Sequence, residues 1–330
     1  MVKLVDVAKA CGLSVSQTSR ALNGRQDVSE ETKRRVSQTA AAMGYVKNLT
    51  AQTLSAKKPM QLAVVVTGVS EQTENSSFFF GIMQGVNSFA NQNGYETVVY
   101  MMENSPECFE TYCRQRGAGG MILMNADYDE PAVKKLAEGD FPCVFIDIPY
   151  TGERKGCVIV NNAYYSRLAV EHMVKRGRKR IAMITGSGHS IVEKEREEGY
   201  RQALRQAGLT VRPEWIVKGD FRYDMAHEQA IRLMEKEPRL DGFFCASDLM
   251  ALGVINALRG QHIKIPKQIS VFGFDGLLSS EYARPKLSTI RQNQKYKGFL
   301  AARMLTDIQG NEAYEPTVIV PCEVCLRESV

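Results

Sequence analysis

The sequence has no apolar run of membrane-spanning length: stretches such as 62–66 end after a few residues, far short of the roughly 20 that a bilayer needs. Nor does its start show an apolar core ahead of a cleavage site, so we expect a cytoplasmic protein with no membrane partner. Histidine is scarce, with four residues at 172, 189, 227 and 262, and their spacing suits neither a metal site nor a catalytic triad. The eight cysteines (11, 108, 113, 143, 157, 245, 322 and 325) are scattered, several inside apolar runs, as reduced and buried thiols are. Cys322 and Cys325 have a zinc or redox spacing but lack a second Cys/His pair. The glycine-rich stretches at 117–120 and 186–189 complete neither G-x-G-x-x-G nor a P-loop. We therefore expect no enzyme, no catalytic residue, no metal and no cofactor.

Acids are scarce in one place. Residues 1–60 hold ten lysines and arginines against four acids, net +6, whereas the other 270 residues sum to −1. A basic head on a near-neutral body suits a polyanion-binding module joined to something that does not bind DNA in bulk. Within that head, residues 3–23 read as two short helices. Leu4, Val7 and Ala8 share a face, Gly12 permits the turn, and Ser14 with Gln17 forms a capping box. Ala21 and Leu22 face back, leaving Val15, Ser16, Gln17 and Arg20 outward. A helix starting with short residues can bring its backbone close to base edges in the major groove. The alternative is a plain helical hairpin. A third helix follows, with Ser29 as N-cap and a stripe of Thr32, Val36, Ala40 and Met43; Lys33, Arg34 and Arg35 are either phosphate contacts or a solvated face. Residues 48–55 are too short and polar to hold a helix unaided, and read as a linker or as a hinge helix that folds on DNA, with Leu54 as a minor-groove wedge.

Asp6-Val7-Ala8, Gly12, Ser14, Ser19-Arg20, Leu22-Asn23, Val28-Ser29, Glu31-Thr32, Gly44-Tyr45, Asn48, Ala51 and Leu54 carry a resemblance. Residues 3–54 resemble the DNA-binding head of the LacI/GalR family of bacterial transcription regulators. Thr18 stands where that family usually has valine, and Lys47 where it usually has a proline. The resemblance implies DNA contacts from Lys3, Ser14, Val15, Ser16, Gln17, Ser19, Arg20, Asn23, Asn48, Ala51 and Leu54. Of these, Val15, Ser16 and Arg20 are assigned to base edges.

From residue 57 onward, strands alternate with helices through short loops, which implies parallel sheets covered on both faces. The run of repeats exceeds one compact sheet. The resemblance implies a small all-α helix-turn-helix domain followed by an α/β core of two Rossmann-like lobes, as in type I periplasmic sugar-binding proteins. The expected divisions are a head at 1–46, hinge and linker at 47–59, and an effector-binding and dimerisation core at 60–330. Within the core, lobe 1 is about 61–160 plus 292–320 and lobe 2 about 161–290 plus 321–330.

Acids end two strand-like runs, at Asp147 and Asp275, where each is either a loop cap or an acceptor of ligand hydroxyls. The resemblance adds Arg196, Phe221, Ser247, Asp248 and Gln292 as effector residues, and Phe78 and Phe79, although Ser76-Ser77 replaces the family's Asn-Pro before them. Asp248 could equally cap a helix, and Phe221 could serve the core. Val192 cannot supply the hydrogen bond that the purine-responsive branch makes near Ser190 and Val192. We therefore expect an effector-controlled transcription regulator, most often a repressor in this family, binding a pseudo-palindromic double-stranded operator as a homodimer. The expected effector is a sugar or sugar derivative, the alternatives being a nucleobase or a phosphocarrier protein as corepressor. A sugar-binding transport protein shares the core architecture but would carry no helix-turn-helix.

Overall fold

The computed structural model describes residues 2–22, 24–25, 27–45, 61–68, 76–188 and 190–330. The expected hinge helix with Asn48, Ala51 and Leu54, and also Asn23, lie outside the described residues. The chain divides into two units, Met1–Pro59 and Met60–Val330.

In the first unit α1 (Leu4–Cys11), α2 (Val15–Leu22) and α3 (Glu30–Ala42) enclose Val7, Ala21, Val36 and Ala40. Gly12 takes φ 62°, the left-handed conformation that ends α1 and that a side chain would strain. The capping box forms: the Gln17 N–H donates to Ser14 Oγ at 3.1 Å and the Ser14 N–H to Gln17 Oε1 at 3.2 Å. Thr18 is fully buried, and its hydroxyl donates to the Ser14 carbonyl at 3.0 Å, so the polar atom at this core position is satisfied. Ser29 Oγ accepts the Thr32 N–H at 3.3 Å to start α3.

The second unit holds two six-stranded sheets. The first lobe is built from β1 (Gln61–Val66), α4 (Ser76–Asn93), β2 (Glu96–Met101), α5 (Phe109–Arg114), β3 (Met121–Met124), α6 (Pro131–Glu138), β4 (Cys143–Ile146) and β5 (Lys155–Ile159). The second lobe comprises α7 (Asn162–Lys175), β6 (Ile181–Thr185), α8 (Ile191–Gln206), β7 (Ile216–Lys218), α9 (Tyr223–Lys236), β8 (Gly242–Cys245), α10 (Asp248–Gly260), β9 (Ser270–Asp275), α11 (Leu278–Tyr282) and β10 (Ser288–Gln292). The chain then returns to the first lobe as α12 (Gln294–Gly310) and β11 (Thr317–Ile319), and ends in the second as β12 (Cys322–Cys325).

Strand order is β11-β5-β4-β3-β1-β2 in one sheet and β12-β10-β9-β8-β6-β7 in the other, every pairing parallel except β10 with β12. Runs such as Met121–Met124 and Gly242–Cys245 are buried along their whole length because helices cover both faces. Strand β5 is absent from the sequence reading because it opens on Lys155. That lysine is nonetheless fully buried, its ammonium donating to the Gly139 carbonyl just past α6 at 2.6 Å.

One helix pair fixes the site. At the α4–α12 crossing a Cβ on Gly85 would lie 1.9 Å from the Lys295 carbonyl oxygen, and one on Gly298 2.0 Å from that of Ile82. Glycine at both positions lets the backbones touch, which brings Phe78 and Phe79 at the start of α4 and Lys297 on α12 to the same end of the lobe. Among the described residues, no helix is long and apolar enough to cross a membrane.

Candidate functional site

A cavity of about 610 Å³ opens between the lobes, beyond the C-terminal ends of their parallel strands. Ligands of doubly wound sheets bind at such ends, and the volume suits a small molecule. Its lining includes Phe78, Phe79, Asp147, Arg196, Phe221 and Asp275. Eight non-glycine residues among those described have positive φ, and five of them (Asn125, Asp147, Asp220, Phe221 and Asp275) line this cavity. Backbone strain of this kind persists only where surrounding structure holds it, and it concentrates at functional sites.

The carboxylates have different partners. Asp147, at the end of β4, accepts from the Lys297 ammonium with both oxygens, at 2.8 and 2.9 Å. Lys297 is fully buried and also donates to Gln292 Oε1 at 2.9 Å. Gln292 Nε2 in turn donates to Asp275 Oδ1 at 2.9 Å, and the Arg196 guanidinium lies 3.6 Å from the same oxygen. Arg196 donates to Asn162 Oδ1 at 3.1 Å and to the Ala246 carbonyl, and stacks over the Phe274 ring with its centroid 3.8 Å away. A polar chain thus runs from the first lobe through Lys297 and Gln292 to the second. Burial pushes Asp275 up to about 6; Arg196, Gln292 and Lys297 oppose that rise and the Asp147 charge adds to it.

Glu193 also lines the cavity, accepting the Gly188 N–H and the Ser187 hydroxyl, the latter at 3.3 Å. Burial raises its pKa. The glycine-rich stretch is explained here: a Cβ on Gly186 would stand 2.3 Å from the Phe221 ring and 2.4 Å from Glu193 Oε1. Gly186 makes room for an aromatic ring and an acid that both line the cavity.

Three expected effector residues do not line the cavity. Ser247 Oγ accepts the Met250 N–H at 3.2 Å as the N-cap of α10. Asp248 is fully buried and accepts from the Leu277 N–H at 2.7 Å and from Thr289 Oγ1 at 2.5 Å, fastening the turn after β9 to β10. Both oxygens are engaged within the lobe, so Asp248 neither faces the cavity nor caps the helix: Ser247 is the cap, and Asp248 is the first residue of α10. Gln292 sits behind the cavity as the link already described. Sequence reasoning missed Lys297, Asn162 and Glu193. Lys297 was detectable as a lone charge on the α12 face that otherwise carries Gly298, Ala301, Ala302, Leu305 and Ile308.

On the head, Val15, Ser16, Gln17 and Arg20 are exposed, as are Lys3 and Ser14, while Ser19 is half-buried. Ser14 and Gln17 are partly engaged by their shared cap. Arg20 pairs with Asp27 at 3.0 Å across the loop to α3. Lys33 pairs with Glu30 at 2.7 Å. Among the described residues no group of three or more histidine, cysteine or acidic side chains could hold a metal ion, and burial pushes the Cys322 thiol up to about 12.

Residues 3–48 match the family model described as bacterial regulatory proteins, lacI family, and residues 170–330 match a periplasmic binding protein-like domain. The curated HTH-type transcriptional repressor PurR of Actinobacillus pleuropneumoniae serotype 3 is 28% identical over 336 residues, covering 100% of this chain and 98% of that protein. The HTH-type transcriptional regulator CelR of Thermobifida fusca is 29% identical over 328 residues, covering 98% and 96%. Among solved structures, the transcriptional regulator CelR–cellobiose complex has 26% identity and a TM-score of 0.73, covering 100% of both chains. The Lac repressor dimer bound to operator and the anti-inducer ONPF has 25% identity and a TM-score of 0.83, covering 99% and 98%.

Proposed function

Because the chain belongs to the lacI family of bacterial regulatory proteins, which makes it a DNA-binding transcriptional repressor, we propose that a sugar or sugar derivative held between the lobes of residues 60–330 controls its operator binding. The observation that carries this reading is the convergence of five positive-φ residues on one cavity with the Arg196–Asp275 pair in its wall. Asp275 supplies a carboxylate acceptor and Arg196 planar donors, the groups that paired hydroxyls satisfy; Phe221 offers a face to sugar C–H groups. A relative at 26% identity was solved with cellobiose, which supports a carbohydrate here.

Two copies of the head, in a homodimer, would place one α2 in the major groove of each half-site, with Val15, Ser16 and Arg20 at base edges and Lys3, Ser14, Gln17 and Ser19 nearer phosphate. Effector bound to both lobe walls favours one lobe angle over the other. Its differential affinity for the two states is the only free energy available to shift DNA binding.

Thermal unfolding of the full chain against sugars, amino sugars, sugar phosphates and nucleobases tests the reading. A ligand at a hundred times its Kd stabilises by about 2.7 kcal/mol. Stabilisation by a sugar that Arg196→Ala abolishes is expected. Stabilisation by nucleobases alone would replace the sugar with that class.

A further inference from the structure

The two walls of the cavity differ in charge. On the first lobe, Glu103 follows β2, Asp127 follows β3, and Glu130 precedes α6. Asp127 Oδ1 accepts the Asp129 N–H at 2.9 Å and Glu130 accepts the Ser105 hydroxyl at 2.6 Å. Among the described residues none of these three acids forms an ion pair. The cations at the cavity are already committed: Arg196 to Asp275, Arg222 to Asp224, and Lys297, behind the wall, to Asp147. No lysine lines the cavity among the described residues. Independently, Asp275, buried to 3% exposure, takes both Gln292 and Arg196 on Oδ1, which leaves Oδ2 as an acceptor at the cavity wall.

We propose that the cavity selects its effector by charge: it takes a polyhydroxylated molecule without phosphate or carboxylate, and favours one bearing an ammonium group against Glu103, Asp127 and Glu130. This inference rests on the sugar reading above. Ionised carboxylates only accept hydrogen bonds, so hydroxyl and ammonium donors match this wall and an anionic oxygen does not. In a cavity of about 610 Å³ a phosphate anywhere inside lies within about one Debye length, roughly 8–10 Å, of that wall, and a cleft screens less than open solvent. The neutral part of the ligand would be held by Asp275, Arg196 and Phe221. The first-lobe acids then decide which substituent is tolerated.

The test is isothermal titration of the full chain with matched sets: glucose, galactose and cellobiose, each beside its 2-amino and 6-phosphate derivatives. Within the set that binds, phosphorylation is expected to weaken Kd at least tenfold, and amination to hold or tighten it. The phosphate penalty should shrink severalfold in the triple variant Glu103→Gln, Asp127→Asn, Glu130→Gln, and at higher salt in the unaltered protein. Both kinds of replacement keep an oxygen acceptor for the Ser105 and Asp129 contacts, and the salt series stands by itself if the triple variant does not fold. A phosphate ester that binds as tightly as its parent, or a penalty indifferent to salt, overturns the charge selection while leaving the sugar reading intact. Binding by no sugar in any set overturns the sugar reading and this inference with it.

Discussion

The Lys297 ammonium sits 2.8 and 2.9 Å from the two carboxylate oxygens of Asp147, a residue 150 positions away in the sequence. Lys297 has no exposed side-chain surface and Asp147 keeps 18% of its own. Removing one member of a buried pair strands the other charge, at a cost of about 3–5 kcal/mol, whereas removing both is far milder. Lys297→Met should therefore lower the thermal midpoint of the core sharply, and Lys297→Met with Asp147→Asn should recover most of the loss. Equal midpoints for the single and double variants would show that the pair is not coupled.

The raised pKa of Asp275 predicts how effector binding changes with pH. Its carboxyl titrates near 6 rather than 3.8 because burial penalises the charge. Ligand hydroxyls donating to the carboxylate favour the ionised form, so protonation must be undone before binding. Affinity is expected to be flat above pH 7 and to fall as pH drops through 6, by up to about tenfold per unit. In Asp275→Asn that dependence should vanish together with most of the affinity. Titrations at pH 5, 6, 7 and 8 decide it.

Gly298→Ala tests the α4–α12 crossing. The added methyl would meet the Ile82 carbonyl oxygen at 2.0 Å, a backbone atom that cannot swing aside. Overpacking of this kind costs about 1–3 kcal/mol and often more against backbone. Urea unfolding should show that loss, and effector affinity should fall as well because Phe78 and Phe79 ride on α4. An unchanged midpoint would refute the tight crossing.

On the head, the Arg20–Asp27 pair is exposed, with half of each side chain in solvent. Such pairs contribute about 0.2–1 kcal/mol. Asp27→Asn should release Arg20 and raise DNA affinity about twofold to fivefold. Arg20→Ala should weaken binding to an operator selected from random duplexes by about 1–3 kcal/mol while hardly changing binding to random DNA. Equal losses on both DNAs would remove Arg20 from base recognition.

Much of the fold was legible. The head follows from local spacing: Gly12 after a helical stripe, Ser14 three residues before Gln17, and both features are present in the folded head. The alternation of apolar runs with amphipathic stretches sufficed for most strands of both sheets. Strand β5 was hidden because a lysine opens it, and α12 because its inner face carries a lysine and a glycine that interrupt the apolar stripe. Of the expected effector side chains, Phe78, Phe79, Asp147, Arg196, Phe221 and Asp275 meet at one cavity. Ser247 and Asp248 cap and fasten α10 and β9.

By itself the sequence determined a basic helix-turn-helix head, a βα-repeating core and the acids that end its strands, because caps, turns and periodicities act over a few residues. Only the tertiary structure decided what each acid does. Asp147 is neutralised by Lys297, Asp248 is consumed by Thr289 and the Leu277 amide, and Asp275 keeps an oxygen for the cavity. A carboxylate just past a buried strand reads much the same in each case; its freedom to bind is set by partners 17 to 150 residues away.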